Sequence, residues 1–281
     1  MILGALLAVG GAAEPDRARG VLRAVLVSGD TEFWVAMHAA EGLTRAGHGA
    51  EVREALLRRE ELAEADDRLR CGLARERFRA GDGTGEGVLR TILADPASPG
   101  RIHAAESLFK VGWREEATTE VLRRASGGEG GDARLRIMAA AALASRGEDE
   151  ARTVLRGLLA REHDPAVFTL AAWALGRVGE AADAERVRGR LRDAPDVRSR
   201  AFLEHALARL GDEEGRRALV DNLGSPDAAV RIQAAEFAGE AGIEEARGAL
   251  QDLLDDAEPD ARVRAAQALI LLDTRTEEER R

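Results

Sequence analysis

The sequence predicts an all-α fold, a right-handed α-solenoid of about eight helix-pair repeats. Three observations carry that expectation. A twelve-residue pattern can be laid over the chain eight times, a glycine closes seven of the eight copies, and aliphatic runs precede most of them. The clearest copy is residues 231–242, RIQAAEFAGEAG; the others begin at Ala36, Arg70, Arg101, Arg136, Phe168, Arg200 and Arg262. Successive ends lie 31 to 35 residues apart, the spacing of stacked supersecondary units rather than of one globule.

Within the pattern each position has its own chemistry. Alanine pairs recur at positions 4 and 5 (Ala39-Ala40, Ala104-Ala105, Ala139-Ala140, Ala171-Ala172, Ala234-Ala235, Ala265-Ala266), and such small side chains let two helices approach closely. Position 8 is leucine in six copies (Leu43, Leu108, Leu143, Leu175, Leu207, Leu269), and the residue just before the pattern is mostly apolar. Spacings of four, four and three make one helical stripe, and the closing glycine suits a left-handed C′ residue. The aliphatic runs at 21–26, 52–57, 88–93, 154–159 and 250–254 predict the other helix of each pair. Asp132, Asp164, Asp196, Asp227 and Asp260 stand where a carboxylate starts the second helix. The pattern VRxxAAxALxxxG in helix pairs of roughly 32 residues resembles the HEAT-like repeats of the phycobilisome-lyase type, over about 15–273. The resemblance implies a fold and leaves function open, because such repeats serve unrelated tasks.

Taken in order, residues 1–13, MILGALLAVGGAA, form an apolar segment too short to span a bilayer. It reads equally as the hydrophobic part of an export signal lacking its basic start or as a tail packed on the first repeat. The repeats then fill 14–273. Phe33-Trp34 opens the second helix of the first repeat, and the copy at 70–81 departs most, with Arg77 where leucine is usual. Segments 81–87, 95–100 and 126–131 read as loops, the latter two as places for mobility or contacts. Residues 274–281, TRTEEERR, are too polar to pack. The single Cys71 excludes an intrachain disulfide, and forty arginines against one lysine point to a GC-rich, bacterial genome.

In a HEAT-like solenoid the second helices line the concave face, here through positions 3, 6 and 10. Its ends are polar and its middle is not: Met138, Leu170, Trp173 and Phe202 cluster there, with His205 beside them and Arg177 and Arg209 flanking. These seven are the candidate partner-binding residues, since an aromatic and aliphatic patch on a charged protein suits a partner; packing between curved helices is the competing account. His38/Glu41 and His103/Glu106 share helix faces at i, i+3, but pairs two repeats apart lie on the order of 20 Å from one another when adjacent helices pack 8–10 Å apart, and a metal needs three or four converging ligands. The adjacent His-Glu dipeptides of HEAT-like deoxyhypusine hydroxylases are missing. Neither a metal site nor a cofactor motif is expected.

The basic row at position 10 brings to mind a phosphate-tracking surface like that of HEAT-like DNA alkylation repair proteins. A net charge of −10 argues against nucleic acid, and Glu41–Arg45 and Glu106–Lys110 have the order that pairs along a helix. The arginine at position 1 of six copies is expected to bind turn carboxylates. No Ser-His-Asp or Cys-His set and no phosphate loop can be assembled. The expected function is a non-catalytic scaffold binding a protein or peptide on the concave face. The alternative is a lyase-like enzyme or subunit acting on a partner-bound ligand, with His38, His103 or His205 to examine. A third reading uses the apolar Leu269, Ile270, Leu271 and Leu272 of the last helix for an end-to-end or dimer contact.

Overall fold

The computed structural model describes residues 14–64, 66–128 and 131–279. The export reading of 1–13 therefore lies outside the described residues. Helix α1 (Glu14–Val27) pairs with α2 (Phe33–Arg45), then α3 (Gly49–Leu57) and the single turn α4 (Glu60–Ala63) with α5 (Asp67–Arg79). Next come α6 (Gly85–Ala94) with α7 (Arg101–Val111), α8 (Glu116–Gly127) with α9 (Ala133–Ser145), and α10 (Asp149–Arg161) with α11 (Pro165–Val178). The last three pairs are α12 (Ala184–Arg190) with α13 (Val197–Arg209), α14 (Glu213–Asn222) with α15 (Ala228–Ala241), and α16 (Arg247–Leu253) with α17 (Pro259–Glu279). No strand occurs among the described residues, and no helix is long and apolar enough to cross a membrane.

Local chemistry sets these boundaries. Asp132, Asp164, Asp196 and Asp227 are N-caps whose carboxylates accept from backbone N–H groups one turn on. Asp260 is not a cap; it sits in the first turn of α17 and bonds elsewhere. Six closing glycines (Gly47, Gly81, Gly112, Gly147, Gly211, Gly242) have positive φ, the left-handed stop that their position predicts. Gly179 departs from the rule with φ −82°, and its lack of a side chain matters for space instead: a Cβ would lie 2.5 Å from the Leu175 carbonyl oxygen.

Every alanine of the six pairs is fully buried. At two of these contacts even alanine is too large one turn further on. A Cβ on Gly239 of α15 would lie 2.6 Å from the Ala268 Cα of α17, and one on Gly176 of α11 would lie 2.7 Å from the Ala206 Cα of α13.

The expected open groove is closed. Helices α2, α5, α7, α9, α11, α13, α15 and α17 each pack on the next, and α17 packs again on α2, so the inner helices form a ring. Helix α1 bridges the join, lying against both α2 and α17. The apolar last helix is covered here, with Leu269, Ile270 and Leu272 buried, and Gly42 of α2 leaves room for Leu22 and Gln267. Across the same seam His38 Nδ1 lies 2.8 Å from the Asp260 carboxylate, Gln267 donates to the His38 carbonyl, and Arg17 meets Asp255 at 2.5 Å. The apolar end that suggested a second copy is thus answered within the chain, since an open array needs polar terminal faces.

Three smaller expectations change. The position-1 arginines divide their bonds: Arg70, Arg200 and Arg231 reach carboxylates, whereas Arg101 and Arg136 donate to the Leu93 and Ser126 carbonyls in the last turn of the preceding outer helix, and Arg262, like Arg231, donates to a carbonyl of the turn that follows that helix. Those carbonyls lie at or beyond the end of the outer helix, where acceptors lack intrahelical donors. Segment 95–100 is exposed at Asp95, Pro96, Ala97 and Pro99 and anchored at its end: Ser98 donates to Asp67 at 2.6 Å, and a Cβ on Gly100 would meet the Asp67 backbone at 2.9 Å. Helix α17 continues past Asp273 to Glu279.

The close helix crossing gives one substitution opposite signs at two sites. Gly239→Ala is expected to cost about 1–3 kcal/mol by wedging α15 from α17, whereas Gly157→Ala, in α10 with nothing within 4 Å, should stabilise by about 0.5–1 kcal/mol through helix propensity; urea unfolding measures both. Closure is checked by cysteines at 17 and 255 in a Cys71→Ser background. A short bis-maleimide should join them within one chain, while an open superhelix would leave them unlinked.

Candidate functional site: the lumen of the ring

Closing the ring turns the concave face into a lumen, and positions 3 and 6 of the inner helices furnish its first chamber, a cavity of about 370 Å³. Its construction depends on where large side chains are absent. Gly72 occupies position 3 of α5, and a Cβ there would lie 2.8 Å from Trp34; the indole of α2 therefore crosses α5 and stacks on His103 of α7, with centroids 5.6 Å apart. The narrow α9 carries Ala141 at position 6, and past it Phe109 of α7 meets Trp173 of α11 edge to face at 5.6 Å. Phe202 packs on Phe237 at 5.4 Å. Met138 and Leu170 complete the apolar wall.

Met138, Leu170, Trp173 and Phe202 thus share one wall, as their spacing predicts. They line a half-open recess of the lumen: Met138 is 1% and Trp173 5% exposed, and Leu170 and Phe202 are half-buried. His205 does not line this chamber. It is fully buried behind the wall, stacked on Phe237 at 3.7 Å, and neither ring nitrogen has a hydrogen-bond partner. Arg177 lies over the Trp173 ring at 4.8 Å, the flanking contact expected, but it and Arg209 belong to a different mouth of the lumen, and both reach Glu240 of α15, through its side chain and its carbonyl respectively. Trp34, Phe109 and Phe237 were missed because they occupy positions outside the three read as inward-facing; a glycine at position 3 beside a Phe-Trp pair was the available signal.

The chamber is also charged. Arg75, Glu106, Lys110, Glu236 and Arg264 line it together with His38 and His103. The two histidines face one chamber, which an unclosed array did not allow. Glu106 and Lys110 pair at 2.8 Å and Glu41 and Arg45 at 3.0 Å, as their spacing predicts, and Glu41 also bonds Arg79 at 3.0 Å. Burial would raise Glu106, but Lys110 and Arg75 outweigh it and hold the carboxyl at about 2. Burial pushes Glu240 upward, opposed by Arg177 and reinforced by Glu236. Burial lowers His38, His103 and His205, helped by Arg264 at His38 and by Arg177 and Arg209 at His205. Among the described residues no three His, Cys, Asp or Glu side chains gather as metal ligands would.

Residues 128–204 and 195–270 match a family model of HEAT repeats. The chain belongs to the HEAT-repeat family. Solved structures similar to this HEAT-repeat protein include the complex of CpcE and CpcF of phycocyanin lyase from Nostoc sp. PCC7120, at 20% identity, covering 98% of this chain and 99% of the other, with a TM-score of 0.51. Human deoxyhypusine hydroxylase in complex with glycerol is similar at 19% identity over 93% and 97% of the two chains, with a TM-score of 0.42. At 20% identity the likeness to the lyase complex is one of fold. No curated protein matches the sequence.

The lumen's titrating groups give the fold a signed pH dependence. Burial depresses the three histidines below the ordinary 6.5, so the stability they contribute is complete above that value and is lost as pH falls and the unfolded chain takes up protons. Glu106, near 2 against an ordinary 4.5, adds a second loss as pH falls through that range. The thermal midpoint followed by circular dichroism should decline from about pH 7 to 5.5 and again below about 4.5. His205→Phe should flatten the upper limb only.

Proposed function

We propose that this HEAT-repeat protein is a non-catalytic binding scaffold that takes a short peptide segment, end-on, into the lumen of its inner helices. The half-open, aromatic-walled recess carries the reading. Its volume of about 370 Å³ falls in the range of sites that bury a small guest and leaves no room for a folded partner or for a long segment laid along a groove. The wall of Trp34, Met138, Leu170, Trp173 and Phe202 suits an apolar side chain, with rigid aromatic anchors of the kind that dominate binding energy. The same lining supplies carboxylates at Glu106 and Glu236 and cations at Lys110 and Arg264, which match the donors, acceptors and terminal charge that a peptide end brings with it.

Selection of a random peptide display library on the full-length protein tests this reading, with affinities measured by tryptophan fluorescence. Enriched peptides should bind the wild type, and Trp173→Ala and Phe202→Ala should each lose on the order of 2 kcal/mol, the range of an aromatic hot spot, while circular dichroism shows the helices retained. Phe202 is half-buried, so its variant separates lost binding from lost folding if Trp173→Ala unfolds. Absence of any enriched peptide, or unchanged affinity in a folded Phe202→Ala, would sink the proposal.

A further inference from the structure

We propose that a second mouth of the lumen, at the carboxyl ends of α2, α7, α9, α11 and α13, is a binding site for a small, multiply charged oxyanion. A cavity of about 470 Å³ opens there, and its wall contains Arg45, Lys110, Arg152, Arg177 and Arg209 with Ser145 and no carboxylate. Five cations around one recess stand against a chain whose net charge is −10. Four of them are in the last turns of inner helices, where a cation complements the helix dipole, and that electrostatic role by itself would ask for no ligand.

Arg152 breaks that explanation. It comes from an outer helix, in the first turns of α10, the end at which the dipole disfavours a cation, yet its side chain is only 19% exposed and its carboxylate partner, Asp149, is 83% exposed. Helix electrostatics do not place it in the recess; convergence on a common anion does. The carboxylates that serve the other cations are shared. Glu41 joins Arg45 and Arg79, Glu106 faces the aromatic chamber, and Glu240 meets both Arg177 and Arg209. A guanidinium carries five N–H donors in a planar fork suited to phosphate or carboxylate oxygens, so a side chain that already meets a carboxylate can still present donors to a guest. The recess lies between the ends of inner helices and the start of α10, and Lys110, Arg152 and Arg177 are largely withdrawn from solvent there, so their charges are less screened than on an open surface. A polynucleotide does not fit this arrangement, since the overall negative charge repels a long polyanion.

The site is separate from the chamber proposed for the peptide and shares only Lys110 with it, so either proposal can fail alone. Calorimetric titration of the full-length protein with inorganic pyrophosphate, at ionic strength matched with sodium chloride, tests it. Saturable binding is expected, weakened about tenfold in Arg45→Gln and in Arg152→Gln, the scale of one charge-assisted hydrogen bond, and unchanged in Arg58→Gln, whose side chain is 71% exposed outside the recess. Because Arg152 pairs with an exposed aspartate, its variant should keep the wild-type thermal midpoint without ligand. A parallel titration with citrate separates the sources: tighter binding of pyrophosphate assigns a phosphate ester and tighter binding of citrate a polycarboxylate, either upholding the site. No saturable binding to the wild type, or equal affinity in Arg152→Gln, would overturn it.

Discussion

The structure depends on how closely its inner helices approach one another. Alanine pairs buried without remainder, and glycines at Gly176 and Gly239 where even a methyl would meet backbone, bring successive helices together on the lumen side. The bulkier leucines of the outer helices, such as Leu56, Leu89, Leu155 and Leu250, hold the other layer. Small residues inside and larger ones outside bend the stack at every repeat. Added over eight pairs, that bend brings α17 to α2. Shape here is the accumulated result of side-chain volume, with dispersion and apolar burial supplying the driving force.

Closure changes what the charges do. Glu41 and Glu106 pair along their own helices with Arg45 and Lys110, and inside the ring Glu41, Glu236 and Glu240 also meet Arg79, Arg264 and Arg177 from other inner helices. Arg177 and Glu240 join α11 to α15 past α13, and Arg264 lies 3.4 Å from Glu236 and 4.0 Å from Glu41. Removing one partner from such a network leaves a buried charge uncompensated, so the arrangement contributes more to fixing the ring's geometry than to net stability. The aromatic contacts across α5 and α9 act in the same sense. They tie second neighbours together wherever the intervening helix presents glycine or alanine.

Much of this was legible in the sequence. The period, the glycine stops and the aspartate caps are local chemistry; they placed the inner helix of every repeat, and the aliphatic runs placed the outer helix of five, leaving α8, α12 and α14 without a run of their own. The inward-facing positions were legible too, so Met138, Leu170, Trp173 and Phe202 were found together before any coordinate was known. Closure was not, because it follows from small inter-helix angles that no single residue reports, and its partners, such as His38 and Asp260, stand 222 positions apart. The apolar last helix was the one trace of it. His205 was misplaced for a related reason: position 6 faces inward at Trp173, but at α13 the large Phe237 of the next helix covers it. Gly179 was assigned a left-handed stop from its place in the pattern, and only the geometry reveals that a nearby carbonyl, rather than φ, excludes a side chain there.

A ring of repeats also obeys an arithmetic that an open stack does not. An open solenoid can gain or lose an internal unit and keep its character, because each unit answers only to its neighbours. Here the first and last units answer to each other through α1, and the angle per unit must sum to one full turn. Duplication or loss of a single repeat would leave the ends either overlapping or apart, with the apolar face of α17 uncovered. The number of units is therefore part of the fold.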